Sequence, residues 1–262
     1  MLDSENFLSH LIEEEDRLLG GYILDQIEIV LKSKQEQFTN FLNPYQRKIA
    51  RGLLEQIYEI NYLEEGGYRQ AERKRIVIFP EYLFPDHIER SISILKISGN
   101  FTFQSLAHKD FLGALTGLGL KRERIGDILV LNDRAQVIVA VENKEDIILH
   151  LNRVHEVPVE VEEIDAEQLI IPEQSSKDIK ATVASMRLDA VASAGFGDSR
   201  SKIARDIKNG RVKLNWKTED NPSSGVEIGD LISIRKRGRV EVVENRGKSN
   251  RGRIKLLLKR YT

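Results

Sequence analysis

The stretch "MRLDAVASAGFGDSRSKIARDIKNGRVKLNWK", residues 186–217, places eight Lys and Arg side chains on a short apolar helical pattern. Leu188, Val191 and Ala192 stand at i, i+3 and i+4, the spacing of one helix face. Gly195 and Gly197 break that helix, and Asp198 or Ser199 can cap a second one. In the second helix Ile203, Ala204 and Ile207 gather in a stripe about 100° wide. Lys202, Arg205 and Asn209 lie opposite, with Lys208 to the flank. Gly210 supplies a left-handed stop. "RVKLNWK" then alternates as a strand, with Val212, Leu214 and Trp216 on one face. Arg211, Lys213, Asn215 and Lys217 take the other.

A helix pair of this kind buries its apolar stripe and fixes its cations on a solvent-facing surface. The start of the second helix adds unpaired N–H groups and partial positive charge beside Ser199, Arg200 and Ser201. Phosphates of a structured RNA suit such a surface: Arg offers a planar fork and Lys a mobile point charge. Binding of that type releases counterions and weakens steeply with salt.

Outside this stretch the charge is split. Residues 181–262 hold 19 Lys+Arg and 9 Asp+Glu, a net of +10, while the preceding 180 residues hold 21 and 32, a net of −11. The formal total of −1 hides a basic end suited to a polyanion. A 262-residue chain is long enough for one large or two to three ordinary domains, and 40% hydrophobic with 31% charged residues fits a soluble globular protein. The absence of cysteine excludes disulfides and thiolate zinc sites and suits a reducing compartment. "MLDSENFLSHLIEEEDRLL" is acidic and lacks the features of a secretory signal. No run approaches the roughly 18 apolar residues of a membrane span. The expected location is cytoplasmic, without membrane insertion.

Residues 5–62 read mostly as helix. "FLSHLIEEEDRLLGG" is expected to stop at Gly20-Gly21, "YILDQIEIVLKSKQEQFTNFL" continues at helical spacing, and Pro44 opens "PYQRKIARGLLEQIYEINYL". "EEGGYRQAERKR" is a polar connector. "RIVIFP" is a strand closed by Pro80. From residue 92 the order is strand "SISILKISG", helix "HKDFLGALTGLGL", strands "IGDILVL" and "AQVIVAV" joined at Asn132-Asp133, helix "ENKEDIILHLNRV" and strand "PVEVEEI". This β-α-β-β-α-β order is the ferredoxin-like pattern that RRM modules share, without their aromatic stacking signature. Phe101 and Phe103 are assigned to core packing or a loop contact. "DAEQLIIPEQSSKD" reads as a linker. The expected class is α+β and multidomain: a mainly helical region over 1–72, a ferredoxin-like (RRM-like) middle domain over 73–170, and a basic α/β domain over 178–262.

Catalytic motifs fail on inspection. "TGLGLKR" has Arg122 where a dinucleotide fingerprint needs its third glycine, and Val242 stands where a phosphate loop ending in "RGKSNR" needs its first. His150 and His155 do not share a helix face, and HExxH and GxSxG are absent. A non-catalytic protein without cofactor or metal is expected. The alternatives are a protein–protein adaptor using the acidic N-terminal helices, or an RNA-modifying enzyme.

The residues also carry a resemblance. "RLDAVASAGFGDSRSKIARDIKNGRVKLN" resembles the S4-type RNA-binding domain. Arg187-Leu188-Asp189, Ser199, Arg200, Ser201, Ala204, Ile207, Gly210, Val212 and Asn215 fall on its pattern, and "EIGDLISI" matches the strand that follows. "NWKTED" stands where many relatives have Asn-Gly. "AERKRIVIFPEYL" and "KDFLGALTGLGLKRERIGDILV" are similar to the middle region of the YlmH family, bacterial S4-domain proteins encoded among cell-division genes. The resemblance implies a helical N-terminal region, a ferredoxin-like middle domain that touches RNA, and a C-terminal S4 domain. It implies association with the large ribosomal subunit carrying stalled peptidyl-tRNA, and a part in ribosome-associated quality control. The RNA, ribosomal or transfer, is expected at Arg187, Ser199, Arg200, Ser201, Lys202, Arg205, Lys208, Arg211, Lys213, Asn215 and Lys217. Lys121, Arg122 and Arg124 are the candidate second contact, and cell-division proteins are the alternative partners.

Overall fold

The computed structural model describes residues 4–101, 106–173 and 175–261. It divides into two compact units, Met1–Pro172 and Glu173–Thr262.

The first unit opens with α1 (Ser4–Leu8) and α2 (Glu14–Ser33). Gly20 and Gly21 do not end a helix, contrary to expectation; α2 runs through them. A Cβ at Gly20 would collide with the Leu8 side chain, so this glycine permits close packing rather than a stop. β1 (Gln37–Phe38) precedes α3 (Pro44–Leu54), whose start is set by a reciprocal Asn43–Gln46 capping box and by Pro44. The third helix was expected to reach residue 63. It ends at Leu54, and "INYLEE" forms β2 (Ile60–Glu65). The spacing of Leu53, Ile57 and Ile60 fits a helix face, but Ile57 enters the core from a turn and Ile60 from a strand. β3 (Arg75–Pro80) lies between β1 and β2 in a three-stranded sheet, packed through Ile76 and Ile78 against Ile23, Ile27 and Val30 of α2. "RIVIFP" therefore belongs to the N-terminal sheet, not to the middle domain.

The middle domain comprises β4 (Ile92–Gly99), α4 (His108–Gly117), β5 (Ile125–Val130), β6 (Arg134–Ala140), α5 (Lys144–His150), β7 (Arg153–Val154) and β8 (Val157–Ile164). The strand order β5-β6-β4-β8-β7, all antiparallel, is that of a ferredoxin-like sheet. One face holds Leu95, Ile97, Val137 and Val139 against Phe111, Leu115 and Ile147 of the two helices. Phe101 joins this core, edge-on to Phe111 at 5.9 Å, while Phe103 lies outside the described residues. The opposite face, which RRM modules use to stack bases, is covered: Ile94, Ile138 and Leu129 pack with Phe41, Tyr68 and Leu169. Leu169 thus draws part of the expected linker onto this domain.

Two polar hubs join the N-terminal and middle parts. Arg75, 1% exposed, donates to the carbonyls of Thr39 and Ser91, both at 2.6 Å, and to Glu142 at 2.7 and 3.0 Å. Asp127 accepts from the Tyr68 hydroxyl at 2.8 Å and from the backbone N–H groups of Glu72 and Arg73.

The second unit is a six-stranded antiparallel sheet with two helices on one face. It contains β9 (Ser176–Val183), α6 (Leu188–Phe196), α7 (Arg200–Lys208), β10 (Val212–Leu214), β11 (Lys217–Thr218), β12 (Leu231–Ile234), β13 (Gly238–Lys248) and β14 (Ile254–Tyr261). The order is β11-β10-β12-β13-β14-β9. Leu188, Val191 and Phe196 of α6 and Ile203 and Ile207 of α7 pack on Val212, Ile232, Val240 and Leu258. β9 begins within the stretch read as linker, because its side chains are mostly exposed and give little apolar alternation.

Candidate nucleic-acid interface

The apolar stripe of α7 turns inward as the spacing requires: Ile203 and Ile207 are fully buried. The opposite side then presents Lys202, Arg205 and Lys208 to solvent. Ser199 caps the helix, its Oγ accepting from the Lys202 N–H at 3.3 Å, and lies 3.2 Å from the Ser201 hydroxyl.

Asp189 organises the start of both helices. Its side chain is 9% exposed, and it accepts hydrogen bonds from Arg187 at 3.2 Å and from Arg200 at 2.7 Å. Burial pushes this carboxyl up, but the bonds from Arg187 and Arg200 outweigh that and hold it below the ordinary aspartate range. The Arg187 and Arg200 side chains are 42% and 50% exposed, so each is held by Asp189 and still reachable from solvent. An Arg fork held this way meets phosphate with less rotamer freedom to lose. The RLD…SR spacing is therefore a positioning device: one buried acid holds two arginines, one capping α6 and one opening α7.

A second pair of acids braces the far side. Asp198 accepts from Lys202 at 3.0 Å and also pairs with Arg237, and these contacts, Lys202 first, hold its carboxyl low. Arg237 reaches Asp206 and lies over the Phe196 ring at 5.4 Å. Arg211 approaches Asp206 at 3.4 Å. Arg205, Lys208 and Lys213 have no ion pair among the described residues.

Arg211 and Lys213 join Arg235 and Arg239 in lining an open groove of about 690 Å³ that has no carboxylate in its wall. Lys213 and Arg239 face away from the helices, because their strand neighbours Val212 and Val240 fill the core. Arg235 and Arg239 lie outside the 186–217 pattern. Their signal is the run "RKRGR", four cations in five residues.

Asn215 and Trp216 do not extend β10 as expected. Both have positive φ, 50° and 67°, and form the two-residue turn between β10 and β11. That is a type I′ hairpin turn, with Trp216 where glycine is the easy choice. Asn215 donates to Asp230 at 2.7 Å and accepts from the Leu231 N–H at 2.9 Å, so its amide tethers the turn to the "GD" ahead of β12. Lys217 follows in β11, partly buried.

The second candidate cluster is not brought together as a cationic surface. Arg122 turns inward to the carbonyls of Ile125 and Gly126, and Arg124 pairs with Glu142. Lys121 is exposed and has no ion pair among the described residues, whereas the Arg124 side chain, 39% exposed, is held by Glu142. Residues 85–168 as a whole hold 15 Asp+Glu against 9 Lys+Arg. No group of three or more His, Cys, Asp or Glu side chains among the described residues could hold a metal ion, and no described helix is long and apolar enough to cross a membrane.

Comparison with known proteins follows the same division. Residues 21–83 match the family model "YlmH, N-terminal", residues 85–168 "Putative RNA-binding domain in YlmH", and residues 186–232 "S4 domain". The "Ribosome-associated protein quality control protein P2" of Bacillus subtilis (strain 168) is 33% identical over 247 residues, 94% of this chain and 96% of that protein. The solved "Cell division protein ylmH from Streptococcus pneumoniae" is 28% identical with a TM-score of 0.52, covering 61% of this chain and 97% of that one. An S4 domain built around Asp189, preceded by the two segments that distinguish these relatives, places the chain in the YlmH family.

Proposed function

We propose that this protein is a non-catalytic RNA grip that acts on the ribosome, holding ribosomal or transfer RNA through its S4 domain. The observation that carries this reading is the Asp189-centred pair of Arg187 and Arg200, continued along α7 by Lys202, Arg205 and Lys208. A surface whose described helix-borne groups are cations rather than stacked aromatics binds backbone and shape rather than base sequence. The Bacillus subtilis relative, named for ribosome-associated quality control, supports a ribosomal setting; within it the reading extends to the large subunit carrying stalled peptidyl-tRNA. The middle domain would have a subordinate role, because its sheet face is covered and its net charge is negative.

The test is co-sedimentation of the full chain with large ribosomal subunits at low salt. Lys202→Glu with Arg205→Glu should lower affinity roughly 100-fold, by losing two phosphate contacts and adding repulsion. The fold should survive, because both side chains point to solvent. Undiminished co-sedimentation of the double variant overturns the assignment. The pneumococcal relative, named as a cell-division protein, supports a second reading as an adaptor. Partners retained after nuclease treatment would favour it.

A further inference from the structure

The S4 match ends at residue 232, and β13 and β14 lie beyond it. After Val242 the β13 strand leaves the core. Two register shifts follow, between Val242 and Glu244 and between Asn245 and Lys248, and every residue from Glu244 to Lys248 is exposed. The stretch "ENRGKSNRGR", residues 244–253, contains four cations, one carboxylate and no apolar side chain.

The tip is nevertheless ordered by its own bonds. Ser249 N–H donates to the Arg253 carbonyl at 2.7 Å, and Gly252 N–H donates to Ser249 at 2.8 Å. The Ser249 hydroxyl accepts from the Arg253 N–H at 3.1 Å. Arg246 pairs with Glu244 at 2.9 Å, which leaves Lys248 and Arg251 without an ion pair among the described residues. An exposed two-stranded ribbon with no apolar anchor gains nothing from packing on its own domain. It also lacks the apolar or aromatic centre that a protein interface needs. A cationic ribbon of this shape suits a phosphate backbone.

Its position strengthens the point. Lys248 pairs with Ile254, and Ile254 with Val183, from which the chain passes into Arg187 and α6. Arg253 donates to the Thr182 carbonyl at 3.3 Å. The tip thus emerges at the Arg187 end of the sheet, at the opposite end of β13 from the groove at Arg239.

We propose that the β13–β14 tip is a second RNA-binding arm, which contacts sugar–phosphate backbone beyond the segment gripped by α6 and α7. This rests on the RNA reading of the S4 helices, and the experiment separates the two. A labelled RNA hairpin of about 20 base pairs is titrated with the full chain at several salt concentrations between 50 and 200 mM. Lys248→Ala with Arg251→Ala should lower affinity roughly tenfold or more near 0.1 M salt and flatten the log–log salt slope by about 1.5–2, since two phosphate contacts are lost. The thermal midpoint should stay unchanged, because neither side chain is buried.

If this variant binds with wild-type affinity and slope while Lys202→Glu with Arg205→Glu does not bind, the arm is refuted and the RNA reading stands. If the wild-type chain does not bind the RNA, both fall. Loss of binding to anionic phospholipid vesicles, with RNA binding intact, would assign the tip to a membrane surface and overturn the proposal.

Discussion

Two arginine-bearing segments, "KRER" at 121–124 and "SRSKIAR" at 199–205, look alike as sequence and do opposite things in the fold. In the first, Arg122 turns into the backbone and Arg124 meets Glu142. Burial pulls the Arg122 guanidinium pKa down, although it remains charged. In the second, Asp189 beneath the surface holds Arg200 with half its side chain open. The difference lies in where the acceptor sits. Carbonyls at the edge of a sheet draw an arginine inward; a buried carboxylate at a helix start aims one outward. Counting cations therefore locates a candidate segment, but the acceptors decide whether it is a surface for RNA or a brace.

The largest effect separating these classes is expected at the deepest brace. Arg75→Ala removes a buried guanidinium from two carbonyls and from Glu142, leaving acceptors stranded. Breaking a buried pair in this way costs about 3–5 kcal/mol. Chemical denaturation should show that loss, while RNA affinity measured below the lowered midpoint stays at the wild-type value. A loss under about 1 kcal/mol would break the distinction, since Arg75 would not be holding the N-terminal and middle parts together.

A smaller, paired effect compares the two segments directly. Arg122→Ala should destabilise by about 1–3 kcal/mol through unsatisfied carbonyls and leave RNA binding unchanged. Arg200→Ala should weaken RNA binding about tenfold and flatten the salt slope by about 0.7–0.9, with a stability loss of about 1 kcal/mol because the buried Asp189 carboxylate is left with Arg187 alone. Equal effects of the two substitutions on RNA affinity would return "KRER" to the RNA surface.

These contrasts explain what the sequence could show. Periodicity sorts residues by face, so Ile203 and Ile207 against Lys202 and Arg205 could be read directly, as could the β-α-β-β-α-β order of the middle domain. Periodicity does not show what a polar side chain meets across the fold. Arg122 looked available because its acceptors, Ile125 and Gly126, are main-chain atoms of a strand edge. Asn215 reads as a strand residue because the acceptor that tethers its turn, Asp230, lies fifteen residues away. β2 was hidden because Leu53, Ile57 and Ile60 mimic a helix face. β9 was hidden because its solvent-facing side chains dilute the alternation, and Gly20-Gly21 misled because a close approach and a helix stop use the same residue type.

The smallest effect is the most discriminating, because two accounts of the site predict opposite signs. Asp189→Asn removes a negative charge next to Arg187 and Arg200. If net charge alone governed RNA binding, the variant would bind more tightly. If positioning governs, the neutral amide holds two guanidiniums less firmly than a carboxylate, and affinity should fall about threefold with the salt slope little changed. Stability at pH 7 should fall by about 1 kcal/mol, the scale of a weakened charge-assisted hydrogen bond. The pH dependence assigns that loss to the carboxylate. The Asp189 carboxyl is held below its ordinary value in the folded protein. Its contribution is therefore complete above about pH 4, the unfolded aspartate value, and is lost as pH falls through the folded one. The stability gap between wild type and Asp189→Asn should accordingly be widest near neutrality and close on acidification. Tighter RNA binding by the variant, or a gap that does not change with pH, would reduce the site to a sum of charges.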